Sequence, residues 1–240
     1  MRRLLIVLTV VLGLAAFAQQ SVMPARSKAF RSSPAASTPA YDSEILRTTI
    51  NGDFTTNTFA IGTAVSAGNT LGITVQHRVG ASSVTDSQGN TYTVCATNCD
   101  GFNGGSVAVG YLTTGLSSSD TITITQPASG GFHERGITVH KITGAASAGQ
   151  PDVATSATGF GTSPSAAAST TSANTVGIGL LVLGDTTTTY DGTWTEATKL
   201  TQSFNASVPI FTNFTSSGSK NPSGTMSASG GWFLVWAAIK

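Results

Sequence analysis

The sequence is poor in charge. Only 10% of its 240 residues are Asp, Glu, Lys or Arg, and five of the twelve basic ones (Arg2, Arg3, Arg26, Lys28, Arg31) crowd into the first 31 positions. From Tyr41 onward seven basic residues stand against eleven acidic ones, so the body of the chain is mildly acidic. A nucleic-acid binder needs a basic stripe to neutralise phosphate, which this composition does not supply. Cysteine is as scarce. Cys95 and Cys99 are the whole complement, too few for a disulfide-built scaffold and without the nearby partners of a zinc site. No long stretch carries the helical period, and beyond residue 18 nothing apolar is long enough to span a bilayer.

What is present is Thr, Ser, Gly and Ala, arranged as short β-branched runs between turns. Gly68-Asn69-Thr70 and Gly89-Asn90-Thr91 each hand the chain to an extended segment, because Gly and Asn accept the positive φ of a tight turn. Segments 45–50, 56–61, 71–77, 92–95, 106–112, 120–125, 136–143, 152–157, 176–183, 193–198, 206–212, 226–228 and 231–239 read as strands. Asp120 to Thr125 is the cleanest period-two stretch, with Ile122 and Ile124 on one face and threonines on the other. Val176 to Leu183 is nearly all apolar and belongs in the centre of a sheet, whereas 152–157 reads as an edge. Trp232 and Trp236 share one face of the last strand and should pack in the core. Short strands at roughly ten-residue spacing predict an all-β fold, a single large antiparallel β-sandwich of jelly-roll-like kind. The segment Ala67–Val75 echoes Ala173–Leu181, a hint that two halves reuse one strand entry.

Three regions follow. Residues 1–18 have the form of a signal peptide: Arg2-Arg3, the apolar run Leu4 to Leu14, then Ala16-Phe17-Ala18 before Gln19. Residues 19–40, with Pro24, Pro34 and Pro39 among Ser and Ala, read as a disordered linker. Residues 41–240 form the sandwich. In an oxidising compartment Cys95 and Cys99 are expected to close a disulfide around the loop Ala96-Thr97-Asn98.

Chemistry is hard to find. His133-Glu134 begins like a zinc-protease motif, but Ile137 occupies the second histidine position. Ser217-Gly218-Ser219-Lys220 matches Ser-x-x-Lys in a Ser/Gly-rich loop with no companion motif. His77 and His140 fall on strands and read as structural. Asp86, Asn90, Asp100 and Asn103 are oxygen donors on adjoining loops and make a candidate calcium site. The preferred reading has Asp86 and Asn90 capping a hairpin through Asx-type bonds. Phe102, Tyr190 and Trp194 lie in or beside Gly/Asp loops and are the candidate rings for stacking on a sugar.

The order Gly68-Asn69-Thr70, Asp86-Ser87-Gln88-Gly89-Asn90-Thr91-Tyr92, Val139-His140-Lys141-Ile142-Thr143-Gly144, Asp152-Val153-Ala154, Asn174-Thr175-Val176 and a Trp-containing last strand resembles a group of secreted bacterial jelly-roll-like modules. These occur alone or appended to larger surface proteins. Where such modules often carry an acidic residue in the middle strand, this chain has His140-Lys141. The resemblance implies a β-sandwich and an extracellular setting, and carries over no catalytic residues. The expected function is therefore a non-catalytic secreted module for cell-surface or matrix adhesion, with polysaccharide or another surface protein as partner. A jelly-roll polysaccharide-active enzyme and a structural appendage subunit are the alternatives.

Overall fold

The computed structural model describes residues 37–51, 55–77, 79–81, 83–99, 104–127, 134–183, 188–191, 194–197, 199–201 and 206–240. The expectations for residues 1–36, Asp100, Phe102, Asn103 and His133 lie outside them, as do the side chains of Cys99 and Tyr190. Strands in the first half are β1 (Ala40–Asn51), β2 (Thr56–Ala60), β3 (Thr70–His77), β4 (Ser83–Asp86), β5 (Thr93–Cys99), β6 (Gly104–Tyr111), β7 (Thr121–Thr125) and β8 (Glu134–Thr143). The second half holds β9 (Val153–Gly161), β10 (Ala168–Thr170), β11 (Thr175–Leu183), β12 (Thr188–Asp191), β13 (Thr195–Glu196), β14 (Leu200–Thr201), β15 (Ala206–Phe214), β16 (Gly218–Lys220), β17 (Ser223–Met226) and β18 (Gly230–Ile239).

Pairing in the first half is nested. β1 pairs with β8, β2 with β7 and β3 with β6, all antiparallel, as if one long hairpin had been rolled up. That is the topology of a jelly roll. Its sheets run β1-β8-β3-β6-β5 and β2-β7-β4. The second half repeats the plan. The order β9-β18-β11-β15, followed by the short β13 and β14 at its far side, matches β1-β8-β3-β6-β5 strand for strand. Its small outer sheet is split into β10-β16 and β12-β17. Pro222 falls between β16 and β17 where the first half has the single strand β7, and a residue without an N–H interrupts a ladder. The expected antiparallel sandwich is thus present, built twice, and the echo of Ala67–Val75 in Ala173–Leu181 marks the central strands β3 and β11 of the two rolls. The entering turns are not superimposable. Gly68 holds the positive φ in one and Asn174 in the other, one position later in the motif.

The two large sheets face each other, giving four layers and three apolar cores. Leu71, Ile73, Val75, Ile122, Ile124, Ile137 and Val139 fill the first roll. Leu181, Val208, Ile210, Trp194, Trp232 and Trp236 fill the second. Val107, Val109, Ile178, Leu180, Phe233 and Val235 lie between the rolls. Because both faces of the large sheets are covered, β3 and β11 are buried along their entire length. This is why Val176 to Leu183 reads as a continuous apolar run. The outer strand β7 keeps its threonines toward solvent and alternates.

Two sequence expectations change. Ala96 to Asn98 is not a loop but the middle of β5, with a bulge between Val94 and Ala96. Cys95 and Cys99 therefore sit four residues apart on one extended strand, about 13 Å at the usual rise, where a disulfide needs Cα atoms within about 7 Å. Cys95 is a free thiol, and the expected disulfide is not formed. Second, the stretch expected as linker is docked at its end: Ser37 donates a hydrogen bond to the carbonyl of Gly144, and β1 starts at Ala40. β1 and β2, neighbours in sequence, enter different sheets.

Candidate functional site

The turn after β4 is built around one carboxylate. Asp86 Oδ1 accepts the N–H groups of Gln88 (2.9 Å) and Asn90 (3.0 Å), while Oδ2 accepts Asn90 Nδ2 (2.8 Å) and the Tyr92 hydroxyl (2.9 Å). Asn90, buried, then reaches the turn after β6, accepting from Thr113 Oγ1 and the Thr114 N–H and donating to the Thr114 carbonyl. Burial, then the hydrogen bond to Asp86 and the charge of that carboxylate, push the Tyr92 phenol far above its ordinary range. This is the Asx-type cap, extended into a knot between two turns. Both Asp86 oxygens face protein donors, so a cation would have to displace them. Among the described residues no group of three His, Cys, Asp or Glu side chains is close enough to hold a metal.

Two other aspartates do the same kind of work. Asp120 gathers Ser87 Oγ, Gln88 Nε2 and both the N–H and hydroxyl of Ser117. These donors, Ser87 first, hold its carboxyl well below the usual range. Asp152 accepts four hydrogen bonds from Thr171 and Ser172. Desolvation pushes its carboxyl upward, but those bonds outweigh it and keep the pKa at about 2.

Among the described residues, the serine–histidine pair in contact is arranged against catalysis. His77 Nε2 lies 2.5 Å from Ser106 Oγ, and both residues are buried. The Gly80 N–H donates to His77 Nδ1 at 2.8 Å, so the ring proton resides on Nε2 and points at the serine. Ser106 Oγ also accepts from the Ala81 N–H and sits 2.6 Å from Thr97 Oγ1. A nucleophilic serine must give its proton to the imidazole, and this network runs the other way. Burial lowers the His77 pKa to about 4. His140, wholly buried, is lowered to about 4 for the same reason. The Cys95 thiol donates to the Val107 carbonyl, and burial pushes its pKa up to about 12, which leaves it inert.

Trp194 is not a sugar platform. It is 7% exposed, with its ring edge-on to Phe214 and Trp236 at 5.5 and 5.6 Å between centroids. The position beside Gly192 made it look like a loop residue. The packing of the second roll's core is what claimed it. Trp232 and Trp236 are buried on the same side of β18, as the spacing predicts.

The open cleft with the most site-like chemistry was missed by residue-type reasoning. It encloses about 290 Å³ between the ends of β5 and β6 and the connection joining the two rolls. Thr91, Thr93, Tyr111, Thr113, Ser147 and Gln150 supply its polar groups, and none of its lining side chains is charged. No protein-family model, curated protein or solved structure matches the chain.

The cleft's walls are fixed from both ends. Thr113 is tied to Asn90 in the turn knot. Gln150 donates to the carbonyls of Ala146 and Lys240, and accepts the Lys240 N–H at 3.0 Å. The half-exposed Tyr111 ring and the threonine hydroxyls around it suit a small neutral polyol: a ring face to stack on, and hydroxyls that donate and accept. Thr91, Thr93 and Thr113 carried no recognisable signal in the sequence, because Thr-x-Thr recurs wherever an outer strand faces solvent.

Proposed function

We propose that this chain is a non-catalytic secreted β-sandwich module that serves cell-surface or matrix adhesion by binding a neutral glycan. The observation that carries the reading is the uncharged, hydroxyl-lined cleft around Tyr111. Its size is at the lower end of ligand pockets and suits a single sugar unit of a longer chain. Support for the non-catalytic part comes from His77 and Ser106, whose proton order opposes nucleophilic attack. Support for export comes from the Arg2-Arg3, Leu4–Leu14, Ala16-Phe17-Ala18 pattern and from the resemblance to secreted modules.

The test is retention of the purified protein on insoluble polysaccharides and a glycan array, with calcium and with a chelator, alongside Tyr111→Ala. Retention by the native protein that Tyr111→Ala abolishes is the expected result. Retention that survives the substitution, or none from folded protein, overturns the reading. Release of reducing or unsaturated ends would establish the enzyme alternative instead.

A further inference from the structure

The layer between the two rolls is chemically split. Where β5 and β6 lie over β9 and β18, the contact is apolar, made by Ala96, Val107, Val109, Phe233 and Val235. Where β3 and β8 lie toward β11 and β15, the facing residues are mainly polar, with Ile178 of β11 seated on Gly72 between Thr70 and Thr74. Along β3 the residues turned to the second roll are Thr70, Gly72, Thr74 and Gln76; along β8 they are Gly136, Thr138 and His140. Register places Thr74 opposite Thr138 and Gln76 opposite Gly136. From β15 come Ser207, Pro209, Phe211 and Asn213, on the same face as one another.

Within this seam Thr74 Oγ1, Gln76 Oε1, Thr138 Oγ1, His140 Nε2 and Ser207 Oγ have no hydrogen-bond partner in the protein, and every one of these residues is at most 2% exposed. They converge. A Cβ placed on Gly136 would lie 2.9 Å from the Leu200 Cδ1 methyl, 3.4 Å from Ser207 Oγ and 3.5 Å from Gln76 Oε1, so two of the five atoms come together over the bare backbone of this glycine, beside Leu200. Two positions along β8 from Gly136 comes Thr138, beside Thr74, and two further on comes His140. At that end the file meets Tyr41, whose hydroxyl is 3.5 Å from His140 Nδ1 and whose backbone N–H donates to the exposed Asn213.

We propose that this seam is a binding site for a file of ordered water molecules, held between the two jelly rolls and entered beside Tyr41 and Asn213. Buried polar atoms are almost always partnered, and internal waters are held by about three such groups each. Five dry polar atoms in one seam would forfeit as much free energy as a domain's whole net stability. Water is the one ligand whose size and dual donor–acceptor character suits hydroxyls, an amide oxygen and an imidazole nitrogen arranged in line. The rolls are thus joined by a dry half and a wet half. This reading concerns buried atoms between the rolls rather than the lining of the glycan cleft, and does not depend on it.

A crystal structure of the full folded chain at a resolution that shows waters tests the proposal directly. The expected result is density within hydrogen-bond distance of at least two of Thr74, Gln76, Thr138, His140 and Ser207. A dry seam, or hydroxyls bonded to one another, overturns it. Thr138→Val and Thr74→Val provide an independent readout, since valine keeps the shape and removes the hydroxyl. A wet seam loses a water partner and the melting temperature falls in each variant. A dry one sheds an unsatisfied group and the melting temperature rises, which overturns the proposal as well.

Discussion

Gly72 lies against Ile178. A Cβ on Gly72 would fall on the Cδ1 methyl of Ile178, so the central strand of one roll has no side chain at the point where the central strand of the other inserts one. The missing methyl is what lets β3 and β11 approach. We expect Gly72→Ala to destabilise the protein by about 1–3 kcal/mol through overpacking. Ile178→Val in the same chain should restore part of that loss. A urea-unfolding double-mutant cycle measures the coupling, and additive effects would show that the two residues do not constrain each other.

Trp194 should behave as a core residue. Trp194→Ala empties a site bounded by Phe214 and Trp236 and is expected to cost about 3–5 kcal/mol. Chemical denaturation reads this. A stability change within experimental scatter would place the ring at the surface after all.

Acid should weaken the fold through its histidines. His77 and His140 have folded pKa values of about 4, against 6.5 when unfolded. Between those values the unfolded chain binds more protons, so stability is full above pH 6.5 and falls as the pH drops toward 4. The loss is on the order of 3 kcal/mol per imidazole at the end of the window. Replacing His140 with Leu should flatten the slope of stability against pH between 6.5 and 4. An unchanged slope would mean that the His140 imidazole keeps its ordinary pKa in the folded protein.

Cys95 should be silent. With its thiol buried and its pKa near 12, it should resist alkylation in the native protein and react on unfolding. A reducing agent should leave the melting temperature unchanged. A drop on reduction would reveal a disulfide after all.

Asp86 organises a turn. Asp86→Ala removes the acceptor for Gln88, Asn90 and Tyr92 and should cost about 1–3 kcal/mol. Calcium and chelator should leave the melting temperature of the native protein in place. A calcium-dependent rise that Asp86→Ala abolishes would restore the metal reading.

Much of this architecture could be read from the chain, because strand formation is decided locally. Thr121-Ile122-Thr123-Ile124-Thr125 has one apolar face and one hydroxyl face, which fixes it as an outer strand. The apolar run of β11 fixes it as a central one. The Asx cap at Asp86 was also legible, since its partners lie within six residues. Contacts between distant segments were not. Cys95 and Cys99 looked like a loop because the bulge and pairing that make β5 a strand come from β6. Trp194 looked like a loop aromatic because its neighbours, Phe214 and Trp236, are 20 and more positions away.

By itself, then, the sequence determined strand content, the sandwich class and the repeated strand entry at Asn69 and Asn174, since hydrophobic period and turn chemistry act over a few residues. Only the tertiary structure decided that the sandwich is two stacked jelly rolls, that His77 points its proton at Ser106, and that Thr91, Tyr111 and Ser147 share a cleft. Each of these depends on which strands lie side by side, a choice made by the burial of whole sheet faces and invisible to any short stretch of chain.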